Sequence, residues 1–361
     1  MSDLDDLLAD ICRSIQPTAE QNAKAQSAYT GVGEWLADDP KLKPYLPTIY
    51  PQGSRALGTT NCPLRGCEHD VDLVMQIRRP VNAGPDWLYN AVLERLRQHG
   101  DYAKRIEPMK RCIRLNYAGD FHLDALPARP DVIRGETCIE IPDLELREWL
   151  PSDPLGYVAW FESQCEIHEV LAKRAGAPLP PNMPADLKPI LTRSVQLMKR
   201  HRDVEFEGDE GDAPRSIVLT TLAAVAYSGE ASLSLALLGA LKDIATKIES
   251  AVPHPITVVN PTNPDENFGD KFTMQSYAKF VTFVQEFRAK VERLLRTEGV
   301  PELSALLSEM FGEEPTSKAV KALAKRVQAA RESNQLRASA AGITTVGAGR
   351  AVRPNTFFGE E

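Results

Sequence analysis

Apolar residues recur every three or four positions near both ends of the chain, and they alternate with polar residues between these regions. Leu4, Leu7, Leu8 and Ile11 share one helical face, which predicts an amphipathic helix over residues 2–15. The same kind of spacing predicts nine further helices, at residues 18–38, 87–99, 157–175, 186–202, 215–228, 231–250, 271–297, 301–311 and 316–333. From residue 186 onward the chain is therefore expected to be almost entirely helical.

Strand-like alternation is confined to the first 150 residues. The runs lie at residues 70–75, 110–117, 121–126 and 137–142. Mixed strands and helices followed by helices alone predict an α+β fold, with a mixed sheet and its helices in one lobe and a mainly helical second lobe. The expected bounds are 1–150 for the first lobe, 151–335 for the second, and 336–361 for a flexible tail without hydrophobic periodicity.

Composition and charge narrow the functional classes. The net charge is −8, which argues against a broad basic surface for duplex DNA but leaves room for a local cation cluster that binds triphosphates. No apolar run approaches a membrane span, and the acidic N-terminus lacks a signal-peptide pattern, so we expect a cytoplasmic protein. The six cysteines contain no CxxC pair and are expected to be reduced. Cys62, Cys67 and His69 lack a fourth ligand at zinc-finger spacing, so chance placement is favoured over a zinc site.

Two aspartates stand out at the start of the first strand, in the run Asp70-Val71-Asp72-Leu73-Val74. Because alternate side chains of a strand share a face, both carboxylates are expected to point the same way. Two like charges this close are unfavourable unless a cation lies between them, and carboxylate oxygens suit magnesium. An isolated pair of this kind is usually a solvated surface feature, so the interpretation depends on its surroundings.

A glycine-serine turn precedes the aspartate pair. Gly53 allows the backbone to approach a phosphate closely, and the Ser54 hydroxyl with neighbouring N–H groups can bond phosphate oxygens. Gln52 and Arg55 flank this turn and are further candidates for the same ligand. The combination of turn and acidic pair is much more specific than either feature alone.

Asp124 is the candidate for a third carboxylate. It lies on a later alternating run, between Leu123 and Ala125, whereas Asp120 lies in a more polar stretch. A charge among apolar neighbours is costly as a purely structural feature. The sequence therefore favours a site of three carboxylates over a structural role for Asp124.

The pattern Gly53-Ser54, Gly58-Thr59, Asp70-Val71-Asp72 and Asp124 resembles the polymerase-beta-type nucleotidyltransferases. The closer resemblance is to the bacterial cGAS/DncV-like nucleotidyltransferases, or CD-NTases, which make cyclic oligonucleotide signals in anti-phage defence. The segments that support this resemblance are 149–157, 196–202, 216–222, 260–261, 266–268 and 355–359. It spans most of the chain and implies a polymerase-beta-like catalytic lobe with an N-terminal spine helix.

The resemblance implies a two-metal reaction with Mg²⁺, or alternatively Mn²⁺. Asp70 and Asp72 would then bind both ions, and Asp124 the ion that activates the attacking ribose hydroxyl. Gly53 and Ser54 would bind the β- and γ-phosphates.

Lys199 and Ser216 are implied to reach the triphosphate. From the residues alone, a lysine at a basic helix end is more often solvated, and a serine before an apolar run is typical of an N-cap. Base contacts are left open between aromatic residues at 149, 157 and 160 and the polar loop 260–267.

The predicted function is the condensation of ribonucleoside triphosphates into a cyclic di- or trinucleotide, with release of pyrophosphate. ATP is the first expected substrate, with GTP or a pyrimidine nucleotide as alternatives. The resemblance also implies a protein partner, a HORMA-type regulator or a conjugating enzyme that acts at the tail, residues 355–359.

Two other functions remain open. An RNA- or protein-directed terminal nucleotidyltransferase would need a basic groove, against which the net charge and the acidic loop 205–213 both count. A non-catalytic nucleotide sensor or scaffold would not need all three aspartates.

Overall fold

The computed structural model describes residues 3–64, 69–79, 81–166, 183–333, 335, 337–339, 342–344 and 350–351. Its helices are α1 (Asp3–Ser14), α2 (Ala19–Ala37), α3 (Gly53–Ala56), α4 (Pro85–Arg97), α5 (Gly100–Ala103), α6 (Pro154–Cys165), α7 (Ile190–Glu205), α8 (Ser216–Ala226), α9 (Leu233–Ala251), α10 (Met274–Leu294), α11 (Val300–Phe311) and α12 (Glu313–Glu332). Its strands are β1 (Pro47–Pro51), β2 (His69–Ile77), β3 (Ile106–Pro108), β4 (Ile113–Tyr117), β5 (Phe121–Pro130), β6 (Ile139–Asp143), β7 (Glu148–Ser152), β8 (Val259–Asn260), β9 (Asn263–Asn267), β10 (Arg337–Ser339), β11 (Gly342–Thr344) and β12 (Arg350–Ala351).

A mixed sheet organises the first lobe. Its strand order is β1-β2-β5-β4-β3, and β6 pairs with β5 and with β7. The β2–β5 pair is parallel, whereas β1–β2 and β4–β5 are antiparallel. This sheet with its helices and the helical second lobe confirm the predicted α+β fold.

The two faces of β2 have different roles. Val71, Leu73 and Met75 are fully buried in one core with apolar residues of α2 and α4. Each such burial stabilises the lobe by roughly 1.5–3 kcal/mol relative to an exposed side chain. The other face presents Asp70 and Asp72, so the prediction that both carboxylates share a face is confirmed.

The helix α1 packs in the second lobe. Leu7 and Ile11 are buried in the core formed by α7 to α12. Asp10 forms an ion pair with Arg326 of α12, and the Ser234 N–H donates a 3.0 Å hydrogen bond to Asp5. The expected lobe of residues 1–150 therefore differs from the structure at its first helix, because an amphipathic face does not specify its partner.

Several elements left too weak a pattern to be predicted. The strands β1, β7, β8 and β9 lie outside the four runs of strand-like alternation that the sequence shows. Three short strands, β10 to β12, pair antiparallel within the expected irregular tail, and segments this short carry no periodicity. The predicted helix over 157–175 ends at Cys165 in α6, and residues 167–182 lie outside the described part. None of the described helices combines the length and apolar character that crossing a bilayer requires.

Candidate active site

A cavity of about 680 Å³ lies between the first lobe and helices α7 and α8. Its lining is Ser54, Thr60, Asn61, Pro63, Leu64, His69, Asp70, Asp72, Asp124, Lys199, Arg202, Asp203, Phe206, Glu207, Glu210, Ala213, Pro214, Arg215 and Ser216. All three predicted aspartates and three of the predicted nucleotide-binding residues therefore meet at one cavity. Glu207 and Glu210, from the acidic loop of the sequence, also line it.

Strand register brings the three carboxylates together. In the parallel β2–β5 pair, Asp72 lies opposite Asp124, and Asp70 lies opposite His122. The side chains of directly paired residues on one face are close neighbours. The Asp70 side chain is 58% exposed and the Asp124 side chain 14%, so the acidic group runs from the cavity mouth inward.

Arg114 of β4 holds two of these carboxylates. Its Nε and Nη2 atoms each donate a 2.8 Å hydrogen bond to Asp124, one to each carboxylate oxygen. Its Nη2 also donates a 3.3 Å hydrogen bond to Asp70. Hydrogen bonds to Asp124 raise the pKa of Arg114 further above its usual value, so the guanidinium stays charged.

Asp72 has a different environment from its neighbours. Burial, followed by the negative charges of Asp124 and Asp70, raises the pKa of its carboxyl group from 3.8 to about 7. Among the residues that the structure describes, none donates a hydrogen bond to this carboxylate. A bound cation would remove both causes of the raised pKa, because it would compensate the lost hydration and the like charges.

The donor set fits a divalent cation of the magnesium type. Asp70, Asp72 and Asp124 offer only oxygen ligands, on rigid neighbouring strands, beside a water-accessible cavity. Within the described ranges, no three acidic, histidine or cysteine side chains are already arranged as a complete ligand set. Arg114 instead engages Asp124 and Asp70.

The turn at Gly53 is fitted against Asp72. Gly53 has a φ of +63°, and a Cβ placed on it would lie 2.1 Å from the Asp72 Oδ2 atom. The backbone N–H of Gln52 donates a 3.2 Å hydrogen bond to the Asp72 carbonyl, which joins the turn to β2. Only glycine allows both this backbone conformation and this close approach.

Lys199 approaches the same cavity from α7. It is 7% exposed, and its Nζ donates a 2.9 Å hydrogen bond to the Thr59 carbonyl. Burial, and then the charge of Arg202, lower the pKa of Lys199 to about 8, against the opposing effects of nearby aspartates. Ser54 and Thr60 line the same cavity, with their hydroxyl oxygens 3.2 Å apart.

Ser216 does not cap α8. Arg215 occupies the N-cap position, no side chain there makes a capping bond, and Ser216 is the first helical residue. Its hydroxyl instead accepts a 2.6 Å hydrogen bond from Arg202 Nη1. The N-cap interpretation from the sequence is therefore wrong, whereas Ser216 does face the cavity.

Gln52 and Arg55 lie apart from the main cavity. Gln52 and Gly53 line a neighbouring cavity of about 210 Å³ that shares Asp72 with the larger one. Arg55 is buried, donates a hydrogen bond to Asn22 and lines a separate cavity of about 250 Å³. The structure thus does not bring Arg55 to the other predicted phosphate contacts.

The candidate base contacts are also divided. Tyr157, Asn260 and Glu266 line the 210 Å³ cavity beside Asp72. Trp149 packs against the first-lobe core under the Arg129 guanidinium. Trp160 packs against the core of the second lobe.

Arg114 is the site residue that the sequence analysis missed. The signal was present, because a hairpin that pairs Tyr117 with Phe121 necessarily places Arg114 opposite Asp124. Arg202 was also missed as the partner of Ser216, since a cavity-facing contact between two helices leaves no local pattern.

The raised pKa of Asp72 predicts a stability effect. The folded protein keeps this proton up to about pH 7, whereas the unfolded chain loses it near 3.8, so metal-free protein loses stability as pH rises between these values. Asp72→Asn should therefore raise the melting temperature at pH 8 in EDTA, by roughly 3 °C. Thermal unfolding of both proteins across pH 5–8 measures this effect, and a variant less stable than wild type at pH 8 would contradict it.

Asp143 offers a control of opposite sign. Burial acts to raise its pKa, but hydrogen bonds from the Leu146 N–H, Arg111 and Lys110 outweigh burial and lower it. Its charged form is therefore stabilised in the folded state. Asp143→Asn should lower the melting temperature at pH 8, where Asp72→Asn raises it.

The known proteins that this chain resembles are synthases of cyclic dinucleotides or related second messengers. Residues 1–164 match the family model described as the Second Messenger Oligonucleotide or Dinucleotide Synthetase domain, SMODS. The chain is 35% identical to a c-di-GMP synthase of Roseivirga ehrenbergii, over 99% of this chain and 97% of that protein. It is 28% identical to the cyclic dinucleotide synthase CdnG of Bradyrhizobium diazoefficiens, over 92% of this chain and 86% of that protein.

Solved structures share the fold. The CD-NTase CdnG of B. diazoefficiens, in complex with GTP, superposes with a TM-score of 0.72 at 25% identity, over 89% of this chain and 99% of that one. The CdnC:HORMA-deltaN complex of E. coli MS115-1 superposes with a TM-score of 0.60 at 12% identity, over 82% of this chain and 93% of that one.

Proposed function

The chain belongs to the bacterial CD-NTases, the cGAS/DncV-like nucleotidyltransferases, and we propose that it condenses two molecules of GTP into a cyclic dinucleotide that serves as a second messenger in anti-phage defence. The choice of GTP is supported by the c-di-GMP synthase that is 35% identical over nearly the whole chain. This proposal places GTP ahead of ATP, which was the first substrate expected from the sequence.

The observation that carries the proposal is the register of β2 and β5. It sets Asp72 opposite Asp124, with Asp70 two residues away on the same face, at the edge of a 680 Å³ cavity. A sheet that merely needed to be stable would not gather three carboxylates there, since their mutual repulsion opposes folding. The arrangement is favourable when the group binds cations.

In this proposal Asp70 and Asp72 hold two Mg²⁺ ions, or Mn²⁺ in their place, and Asp124 holds one of them. Such a pair of ions, when bound, supplies positive charge to both the attacking and the leaving oxygen of the phosphoryl group. The protein contributes the fixed orientation of the three carboxylates. In this proposal Asp124 also accepts the proton of the attacking ribose hydroxyl.

Ser54, Lys199 and Ser216 are assigned to the triphosphate. They reach one cavity from three elements, the turn at α3, the helix α7 and the first turn of α8. Burial lowers the pKa of Lys199 to about 8, and a triphosphate beside it would favour the charged form further. Arg202, already bonded to Ser216, adds a second cation at this wall.

Two cavities flank Asp72, the larger one lined by Ser54 and the smaller by Tyr157 and Glu266. We assign the larger cavity to the nucleotide that donates its α-phosphate and the smaller to the nucleotide whose hydroxyl attacks. The hydroxyl oxygen bonds to the α-phosphorus, the bond from the α-phosphorus to pyrophosphate breaks, and the hydroxyl proton passes to Asp124. The linear intermediate is then repositioned in the site, and a second reaction of the same kind closes the ring.

A HORMA-type regulator or conjugating enzyme at the tail remains a prediction. Residues 352–361, which contain the segment that motivated it, lie outside the described part. The structural neighbour CdnC, solved in a complex with HORMA-deltaN, is only 12% identical to this chain. Its similarity therefore supports the fold and not a shared partner.

The test is product analysis with each ribonucleotide alone and in all pairs, in Mg²⁺, followed by phosphatase treatment and mass spectrometry. We expect GTP alone to give a phosphatase-resistant cyclic dinucleotide of two guanylates, which an Asp70→Asn/Asp72→Asn protein does not form. A linear product, a product attached to RNA or protein, or no turnover of any nucleotide would contradict the proposal.

A further inference from the structure

Within the described ranges, Arg114 is the single Arg or Lys side chain that bonds to any of the three aspartates. It makes two 2.8 Å hydrogen bonds to Asp124 and one of 3.3 Å to Asp70. Lys199, which lines the cavity beside these aspartates, donates its hydrogen bond to the Thr59 carbonyl and to none of the three carboxylates.

The contacts with Asp124 and Asp70 are unequal. The Asp124 contact is a two-pronged pair between residues directly opposite each other on β4 and β5, with side chains 23% and 14% exposed. Paired, half-buried and bidentate contacts of this kind are strong and fix the plane of the carboxylate. The contact with Asp70 is longer, is made by one prong, and reaches a side chain that is 58% exposed.

The Asp124 carboxylate keeps free acceptor positions in this geometry. A carboxylate has about four acceptor positions, and a bidentate arginine uses one on each oxygen. Asp124 therefore keeps acceptor positions for a metal ion while Arg114 stays bound. The weaker bond to Asp70 is the one that a metal ion would replace.

We infer that Arg114 is the positioning residue of the metal site, which holds Asp124 in its ligating orientation at all times and releases Asp70 when divalent ions bind. Two properties of the side chain act separately. Its planar fork orients Asp124, and its positive charge weakens the binding of divalent ions to the nucleotide-free protein. This inference rests on the metal site of the proposed function.

Substitution separates charge from shape. Arg114→Met removes both, so nucleotide-free protein should bind Mn²⁺ about 5- to 10-fold more tightly than wild type. Arg114→Lys keeps the charge and loses the fork, so its Mn²⁺ affinity should not rise above that of wild type. Both variants should turn over GTP about 10- to 100-fold more slowly at saturating metal, because Asp124 is no longer held in position.

Arg111 provides the matched control. It lies three residues before Arg114 in the chain, and its Nε donates a 2.9 Å hydrogen bond to the fully buried Asp143. Neither Arg111 nor Asp143 lines the 680 Å³ cavity. Arg111→Met removes an ion pair of similar chemistry and should leave both Mn²⁺ affinity and turnover close to wild type.

Mn²⁺ binding is measured by electron paramagnetic resonance, with and without a non-hydrolysable GTP analogue, and turnover is measured separately with GTP. Unchanged Mn²⁺ affinity in Arg114→Met, or wild-type turnover in Arg114→Lys, would overturn the inference. If wild type binds no Mn²⁺ under either condition, the metal site of the proposed function itself is wrong. The Lys variant keeps the test valid should the Met variant not fold.

Discussion

Asp124→Asn should lower the rate of cyclic dinucleotide formation by at least about a thousandfold, because it removes one of three metal ligands and a proton acceptor while keeping the shape of the side chain. The folded state should persist, since an asparagine oxygen can still accept from Arg114 across the β4–β5 pair. Affinity for a non-hydrolysable GTP analogue should change far less than turnover, since the assigned triphosphate contacts lie on other elements.

Steady-state rates and analogue binding by calorimetry measure this difference. Asp120→Asn is the matched control, because Asp120 lies just before β5, and its carboxylate pairs with Lys24 at the surface. The control should retain turnover within about twofold. If Asp124→Asn kept more than a tenth of the wild-type rate, Asp124 would not be a metal ligand.

Gly53→Ala should lower turnover by about a hundredfold or more. The added methyl group would lie 2.1 Å from the Asp72 Oδ2 atom, so either the turn or the carboxylate must move. A displacement of about 1 Å in a metal-binding carboxylate is sufficient for a hundredfold loss of turnover. The positive φ of +63° adds a strain of about 1–2 kcal/mol for a residue with a Cβ.

Gly58→Ala separates strain from displacement. Gly58 also has a positive φ, of +69°, but its added Cβ would meet only the Thr192 methyl group at 3.7 Å. Both variants should lose stability in thermal unfolding, and only Gly53→Ala should lose most of its turnover. Equal losses of turnover in the two variants would show that strain in the turn, not the position of Asp72, limits the reaction.

Local patterns predicted the parts of the site that lie close together in sequence. The two-residue spacing of Asp70 and Asp72 on a strand was sufficient to place both on one face, and the apolar neighbours of Asp124 indicated a buried carboxylate. The pairing of Asp72 with Asp124 could not be predicted from local spacing. The parallel strands β2 and β5 are joined by a long crossover, and its length does not determine their register.

The sequence prediction differed from the structure mainly in the direction in which a side chain or a helix face points. Gln52 to Arg55 were treated as one phosphate-binding group, but successive residues of a helical turn point about 100° apart, so Arg55 faces Asn22 and not the cavity. The helix α1 was correctly predicted as amphipathic, yet its apolar face could have packed against either lobe. Arg114 was recoverable from the hairpin register and was overlooked.

The most direct test of the proposed two-metal site is a crystal structure of the protein with Mn²⁺ and a non-hydrolysable GTP analogue, with the ions located by anomalous scattering. We expect two peaks roughly 4 Å apart, both in contact with Asp70 and Asp72 and one also bound by Asp124, with the triphosphate beside Ser54 and Lys199. Ions bound elsewhere, or a triphosphate outside the 680 Å³ cavity, would contradict this proposal.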